Sequence, residues 1–153
     1  MRHNIESILE KVADKYRRAI PAAQELNTLP YRSENGQWIG SPNQDGNSWW
    51  TTGFWSGILW QLYNLTGDEA FRTEALRGDE EMAKEFRKYI RLNHDMAFMY
   101  LLSCGAEYKL TGSEQARVDA LMPQAFCRAA SIRRASSTYG TARAVWAGPS
   151  STA

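Results

Sequence analysis

Leu62-Tyr63-Asn64-Leu65-Thr66-Gly67-Asp68-Glu69 comes back 45 residues later as Glu107-Tyr108-Lys109-Leu110-Thr111-Gly112-Ser113-Glu114. Each copy reads as a helix end, a glycine free to close it in the left-handed conformation, a polar capping residue and a new helix start. A helical hairpin recurring at this length means stacked helix pairs, in an open solenoid or a closed ring. Outward from the repeat, apolar residues keep the helical period. Ile5, Ile8, Leu9, Val12 and Tyr16 predict a helix over 4–18, closed or kinked at Pro21. Further helices are expected over 52–65, over 69–91 with a kink near Gly78, over 95–110, and from Ser113 to about Met122. No strand-like alternation competes. Residues 27–48, which include Pro30, Gly36, Gly40, Pro42 and Gly46, form a long polar segment without pattern and read as the rim of a site.

The chain has 153 residues, 43% of them hydrophobic and 12% aromatic, which fits a globular domain with a real core. No apolar run reaches the ~20 residues of a membrane span. Met1-Arg2-His3-Asn4-Ile5-Glu6 leads into a charged amphipathic helix rather than a signal peptide, so a cytoplasmic location is expected. The two cysteines, Cys104 and Cys127, have neither metal-ligand nor disulfide-framework spacing, and Cys104 reads as a buried thiol. No metal or organic cofactor is expected, because the chain lacks a ligand cluster and a Gly-rich phosphate loop. The net charge of +1 hides a split: all 17 acidic residues precede Pro123, and the last stretch carries arginines alone. Those scattered arginines lack interleaved aromatics, so neither a nucleic-acid nor a membrane partner is expected.

Chemistry concentrates at two places. Asn93-His94-Asp95 heads the apolar run Met96-Ala97-Phe98-Met99-Tyr100-Leu101-Leu102. The plain reading of Asp95 is an N-cap whose carboxylate accepts first-turn N–H groups, with His94 a loop histidine. The alternative reading is an acid–base pair at a helix start. The second place is Trp49-Trp50-Thr51-Thr52-Gly53-Phe54-Trp55-Ser56-Gly57-Ile58-Leu59-Trp60. Trp55 and Trp60 suit a core helix. Trp49 and Trp50 precede it, and a loop tryptophan offers a flat apolar face that suits the C–H face of a sugar. Gly53 and Gly57 would admit a close neighbour.

Trp50–Phe71 and Asn93–Gly112 resemble segments of glycoside hydrolase family 88, the unsaturated glucuronyl hydrolases, and the likeness runs over about Trp49 to Met122. Ala97 stands where the family usually has glycine. The resemblance selects the ring: an all-α, incomplete (α/α)6 barrel built of helical hairpins. It implies removal of a 4,5-unsaturated uronic acid from lyase-generated oligosaccharides. In that reaction an aspartic acid protonates C4, water adds at C5 with the carboxylate as base, and the hemiketal collapses. Asp95 matches that aspartate, His94 a substrate-contacting histidine and Trp50 the tryptophan that packs on the sugar. The family's second aspartate segment has no counterpart here. On this resemblance, residues 1–122 are the N-terminal part of a glycosidase-like domain. Residues 123–153, an Ala/Ser/Arg-rich stretch of the composition a shifted reading frame would give, are expected to form an atypical, poorly packed tail. The expected partner is an unsaturated oligosaccharide, with self-association through inner helix faces that a part-ring leaves open. A chain of this kind is expected to be weak or inactive by itself. The alternative is a non-catalytic helical-repeat protein that binds carbohydrate or another partner through the aromatic loop.

Overall fold

The structure, a computed structural model, describes residues 2–41, 46–88 and 92–144. The order is α1 (Arg2–Gln24), β1 (Pro30–Glu34), β2 (Gln37–Gly40), α2 (Thr52–Thr66), α3 (Glu69–Arg87), α4 (Met96–Leu102), α5 (Cys104–Thr111) and α6 (Glu114–Ala144). Among the described residues the architecture is all-α apart from one antiparallel hairpin, as expected of part of an α/α barrel. The expected helix end near residue 91 and the residues from 145 onward, Trp146 included, lie outside the described residues.

The repeat holds at the level of single hydrogen bonds. Gly67 and Gly112 both close their helices at positive φ, 71° and 73°. Their N–H groups donate to Tyr63 O at 2.8 Å and Tyr108 O at 2.9 Å. Thr66 and Thr111 each donate back to the carbonyl four residues earlier and each accept, at 3.2 Å, from the N–H of the next N-cap. Asp68 then caps α3 by accepting from Ala70 N, and Ser113 caps α6 by accepting from Ala116 N.

The repeat also fixes packing. On α3 the buried stripe is Phe71, Ala75, Gly78 and Met82. The same 45-residue shift gives Ala116, Ala120, Pro123 and Cys127 on α6, of which the first three are buried and Cys127 is half-buried. α6 therefore continues through Pro123 to Ala144 and does not end near Met122. Proline inside a helix costs about 3 kcal/mol, and complete burial of Pro123 in the core offsets that cost. Phe126 extends the packed face past Met122, edge-on to Phe86 at 6.3 Å.

Four other expectations change. α1 runs through Pro21 to Gln24, because its last turn is anchored by buried Ala23 and by Gln24 Nε2 donating to Glu74 Oε2 at 2.9 Å. α3 crosses Gly78 without a break; a side chain there would collide with the Ser56 hydroxyl. The expected 95–110 helix is two helices. It breaks at Ser103 (φ −99°, ψ −86°), whose hydroxyl donates to Met99 O at 3.0 Å. The polar segment contains β1 and β2, paired Glu34↔Gln37 around Asn35-Gly36. Both turn residues have positive φ, 49° and 79°, as a two-residue hairpin turn requires.

Trp55 and Trp60 are core residues, as expected, and each meets a buried carboxylate on α3. Trp55 Nε1 donates to Glu74 Oε1 at 3.0 Å, and Trp60 Nε1 to Asp79 Oδ2 at 2.8 Å. Burial works against the Glu74 carboxylate, but Arg77, Gln24 and Trp55 donate to it and hold it below the usual range. Among the described residues, no cation pairs with Asp79. Burial, opposed by Trp60 and Ser56 and reinforced by Glu107, pushes it from 3.8 up to about 8. The folded chain thus keeps a proton that the unfolded chain releases above about pH 4, so this contribution to stability is lost as pH rises from about 4 to 8. Asp79→Asn should raise the urea midpoint more at pH 8 than at pH 5. Equal shifts at the two pH values would exclude Asp79 as the titrating group. The Cys104 thiol is 1% exposed and raised well above its ordinary value by burial.

Candidate functional site

α2 and α4 run side by side in the same direction. A Cβ on Gly53 would lie 2.7 Å from Met99 Cα, and one on Gly57 would lie 2.9 Å from Leu102 O. The two glycines expected to admit a close neighbour admit the α4 backbone. Because both contacts advance together, the N-terminal ends of α2 and α4 share one rim.

The repeat shift places Trp50 and Asp95 in equivalent slots, 45 residues apart, just ahead of these two helices. Trp50 is 43% exposed. It begins an aromatic line that leads to α4: Trp50 to Phe54 at 6.1 Å, then Phe54 to Phe98 at 5.4 Å, both edge-on. Phe54 and Phe98 are exposed as well, so the line faces solvent. Trp49 is half-buried and set edge-on to Tyr31 at 5.6 Å, where it supports the turn rather than the open rim.

Asp95 occupies the N-cap position of α4, but its carboxylate accepts no capping bond. This corrects the capping expectation. Its backbone is already helical (φ −74°, ψ −17°), a geometry that turns the carboxylate away from the first-turn N–H groups. The local turn is instead made by Asn93, whose Oδ1 accepts from Asp95 N at 2.8 Å. The Asp95 carboxylate lies 3.3 Å from His94 Nε2, with side-chain exposures of 33% and 92%. A half-exposed carboxylate and an exposed imidazole thus stand at the start of α4, the helix whose Phe98 ends the aromatic line.

The remaining pieces are supports that sequence reading missed. Thr52 donates into the turn ahead of α2, with its hydroxyl 2.7 Å from Trp49 O and 2.9 Å from Asn47 O. Asn47 Oδ1 accepts from Leu29 N at 2.7 Å and ties that turn to the hairpin. Asn-x-x-x-x-Thr was the available signal. Cys127 of α6 reaches the turn ahead of α4, and no local pattern announces it. Among the described residues, no three His, Cys, Asp or Glu side chains are grouped to hold a metal ion, and no helix is long and apolar enough to cross a membrane.

Parallel helices with paired return helices and a shared rim are the makings of an α/α barrel, here represented by part of its circuit. No family model matches the chain. It is similar, however, to the unsaturated glucuronyl hydrolases. It is 42% identical over 76 residues to the unsaturated glucuronyl hydrolase of Bacillus sp. (strain GL1), a match covering 49% of this chain and 20% of that protein. It is 39% identical over 72 residues to the unsaturated chondroitin disaccharide hydrolase of Streptococcus pneumoniae, covering 46% and 18% respectively. The chain therefore matches about a fifth of the length of these relatives. In fold, it superposes on a mutant unsaturated glucuronyl hydrolase from Streptococcus agalactiae with a TM-score of 0.71 and 24% identity, covering 83% of this chain and 34% of that one.

Proposed function

We propose that this chain carries the first part of a site that hydrates 4,5-unsaturated uronic acid ends of oligosaccharides. In this reading Asp95 donates the proton to C4 and then takes one from the water that adds at C5. Trp50 packs on the sugar face, and His94 contacts the substrate. The observation that carries the reading is the Asp95 carboxylate: it stands at a helix start, is not used as a cap, and shares a rim with Trp50. The names of the relatives supply the substrate class, unsaturated glucuronyl and chondroitin disaccharides. Since those proteins are about five times longer than the matched segment, turnover by this chain alone is expected to be slow. Residues 123–153 are proposed to be the atypical part in composition, without acids and with a fading apolar period, while their first turns still pack in α6 as far as Phe126.

The test is the ultraviolet absorbance of the conjugated double bond in an unsaturated chondroitin disaccharide, followed at high protein concentration. Its decay supports hydration; binding without decay favours the non-catalytic carbohydrate-binding reading, which the exposed Trp50–Phe54–Phe98 line independently supports. Trp50→Ala should weaken disaccharide binding by about tenfold or more, by analogy with the roughly 1–3 kcal/mol that a flat base stacked on an aromatic contributes. Undiminished affinity in calorimetry would remove Trp50 from the site.

A further inference from the structure

We infer that the turn presenting Asp95 is held in place from α6, by the Cys127 thiol, which makes Cys127 a positioning residue of the site. The internal repeat carries the argument. Ahead of α2, the hydroxyl of Thr52 donates to Trp49 O at 2.7 Å and fixes the turn that presents Trp50. The same 45-residue shift makes Ala97 the counterpart of Thr52 and His94 the counterpart of Trp49. Alanine has no hydroxyl, so the second turn lacks the bond that secures the first. The gap is filled from outside. Cys127 Sγ lies 3.6 Å from Asn93 O and 3.9 Å from His94 O, and a thiol is a weak donor to such carbonyls. Cys127 is itself the counterpart of Met82, which packs inside the core of the first unit without a polar role at that turn. Two local hydrogen bonds also shape the second turn, Asn93 Oδ1 accepting from Asp95 N at 2.8 Å and Met96 N donating to Asn93 O at 3.4 Å, while Leu92 and Met96 pack on the core at either side of it. The Cys127 contact joins residues 34 apart and is, among the described residues, the long-range hydrogen bond to this turn.

α6 beyond Met122 therefore belongs to the site as well as to the core. Phe126, next to Cys127, sets its height by packing on Phe86. The catalytic meaning of this clamp rests on the role proposed for Asp95; the clamp itself does not.

The experiment is amide hydrogen exchange at Asp95 and Met96 in the full chain. Cys127→Ala should speed exchange at these two amides by about tenfold, with Gly67 and Gly112 as unchanged internal references. Cys127→Ser keeps a donor and should restore slow exchange. Ala97→Thr placed in the Cys127→Ala background should also restore it, because it rebuilds the Thr52 arrangement locally. Ala97→Thr alone, which needs no disruption of α6, should slow exchange below that of the parent chain. Unchanged exchange in Cys127→Ala, or failure of both Cys127→Ser and Ala97→Thr to slow it, would overturn the inference. Disaccharide binding measured beside it reports on the proposed function separately, so a turn that loosens without any sugar bound keeps the clamp and discards the hydrolase reading.

Discussion

Asp95→Asn is expected to leave the chain as stable as before and to lower hydration of an unsaturated uronyl disaccharide by about 100-fold or more, the usual worth of a positioned general acid–base group. Both halves of that expectation come from one geometric fact. The Asp95 side chain accepts no capping bond, so it contributes through its carboxylate chemistry and its contact with His94. The amide keeps the shape and cannot transfer the proton. Binding should persist, so the loss falls on kcat rather than KM. An Asp95→Asn variant with the parent kcat would end the catalytic assignment. A large fall in thermal midpoint would show that the residue is structural after all.

The second large effect belongs to Gly53. A methyl group there would sit 2.7 Å from both Met99 Cα and Met99 O, which are backbone atoms that cannot rotate aside. Gly53→Ala should therefore push α4 away from α2 and destabilise the chain by about 2 kcal/mol, in the range of overpacked cores. The usual helix preference for alanine, about 1 kcal/mol, acts in the opposite direction and is outweighed. The same displacement should part Phe54 from Phe98 and break the aromatic line. A denaturation midpoint that rises in Gly53→Ala, or ring contacts that survive it, would refute the close approach.

Much of this was readable in the chain, and for a clear reason. The Thr-Gly-polar strings at Gly67 and Gly112 combine a left-handed closing glycine with a cap, and such short-range chemistry is written locally. So were the core roles of Trp55 and Trp60 and the loop position of Trp50. Asn35-Gly36 was a legible turn signal, hidden because the strands beside it are five and four residues long with no strict alternation. What could not be read depends on distance in sequence. Ser103 breaks a helix whose apolar period runs straight through it. Pro123 stays helical because α6 is buried there, a fact that local propensity does not contain. The Cys127 contact with Asn93 and His94 required α6 to be placed beside the loop ahead of α4.

The equivalence of Trp50 and Asp95 has a consequence for how this rim could be altered. The fold offers a similar socket twice: a position just ahead of a helix, at the shared N-terminal end of α2 and α4. What the backbone specifies is the socket; which tool sits in it is left to a single side chain. One socket holds a flat platform and the other holds an acid. Tools can therefore be exchanged or doubled without redesigning the scaffold, and Trp50→Glu would set two carboxylates on neighbouring mounts of one frame.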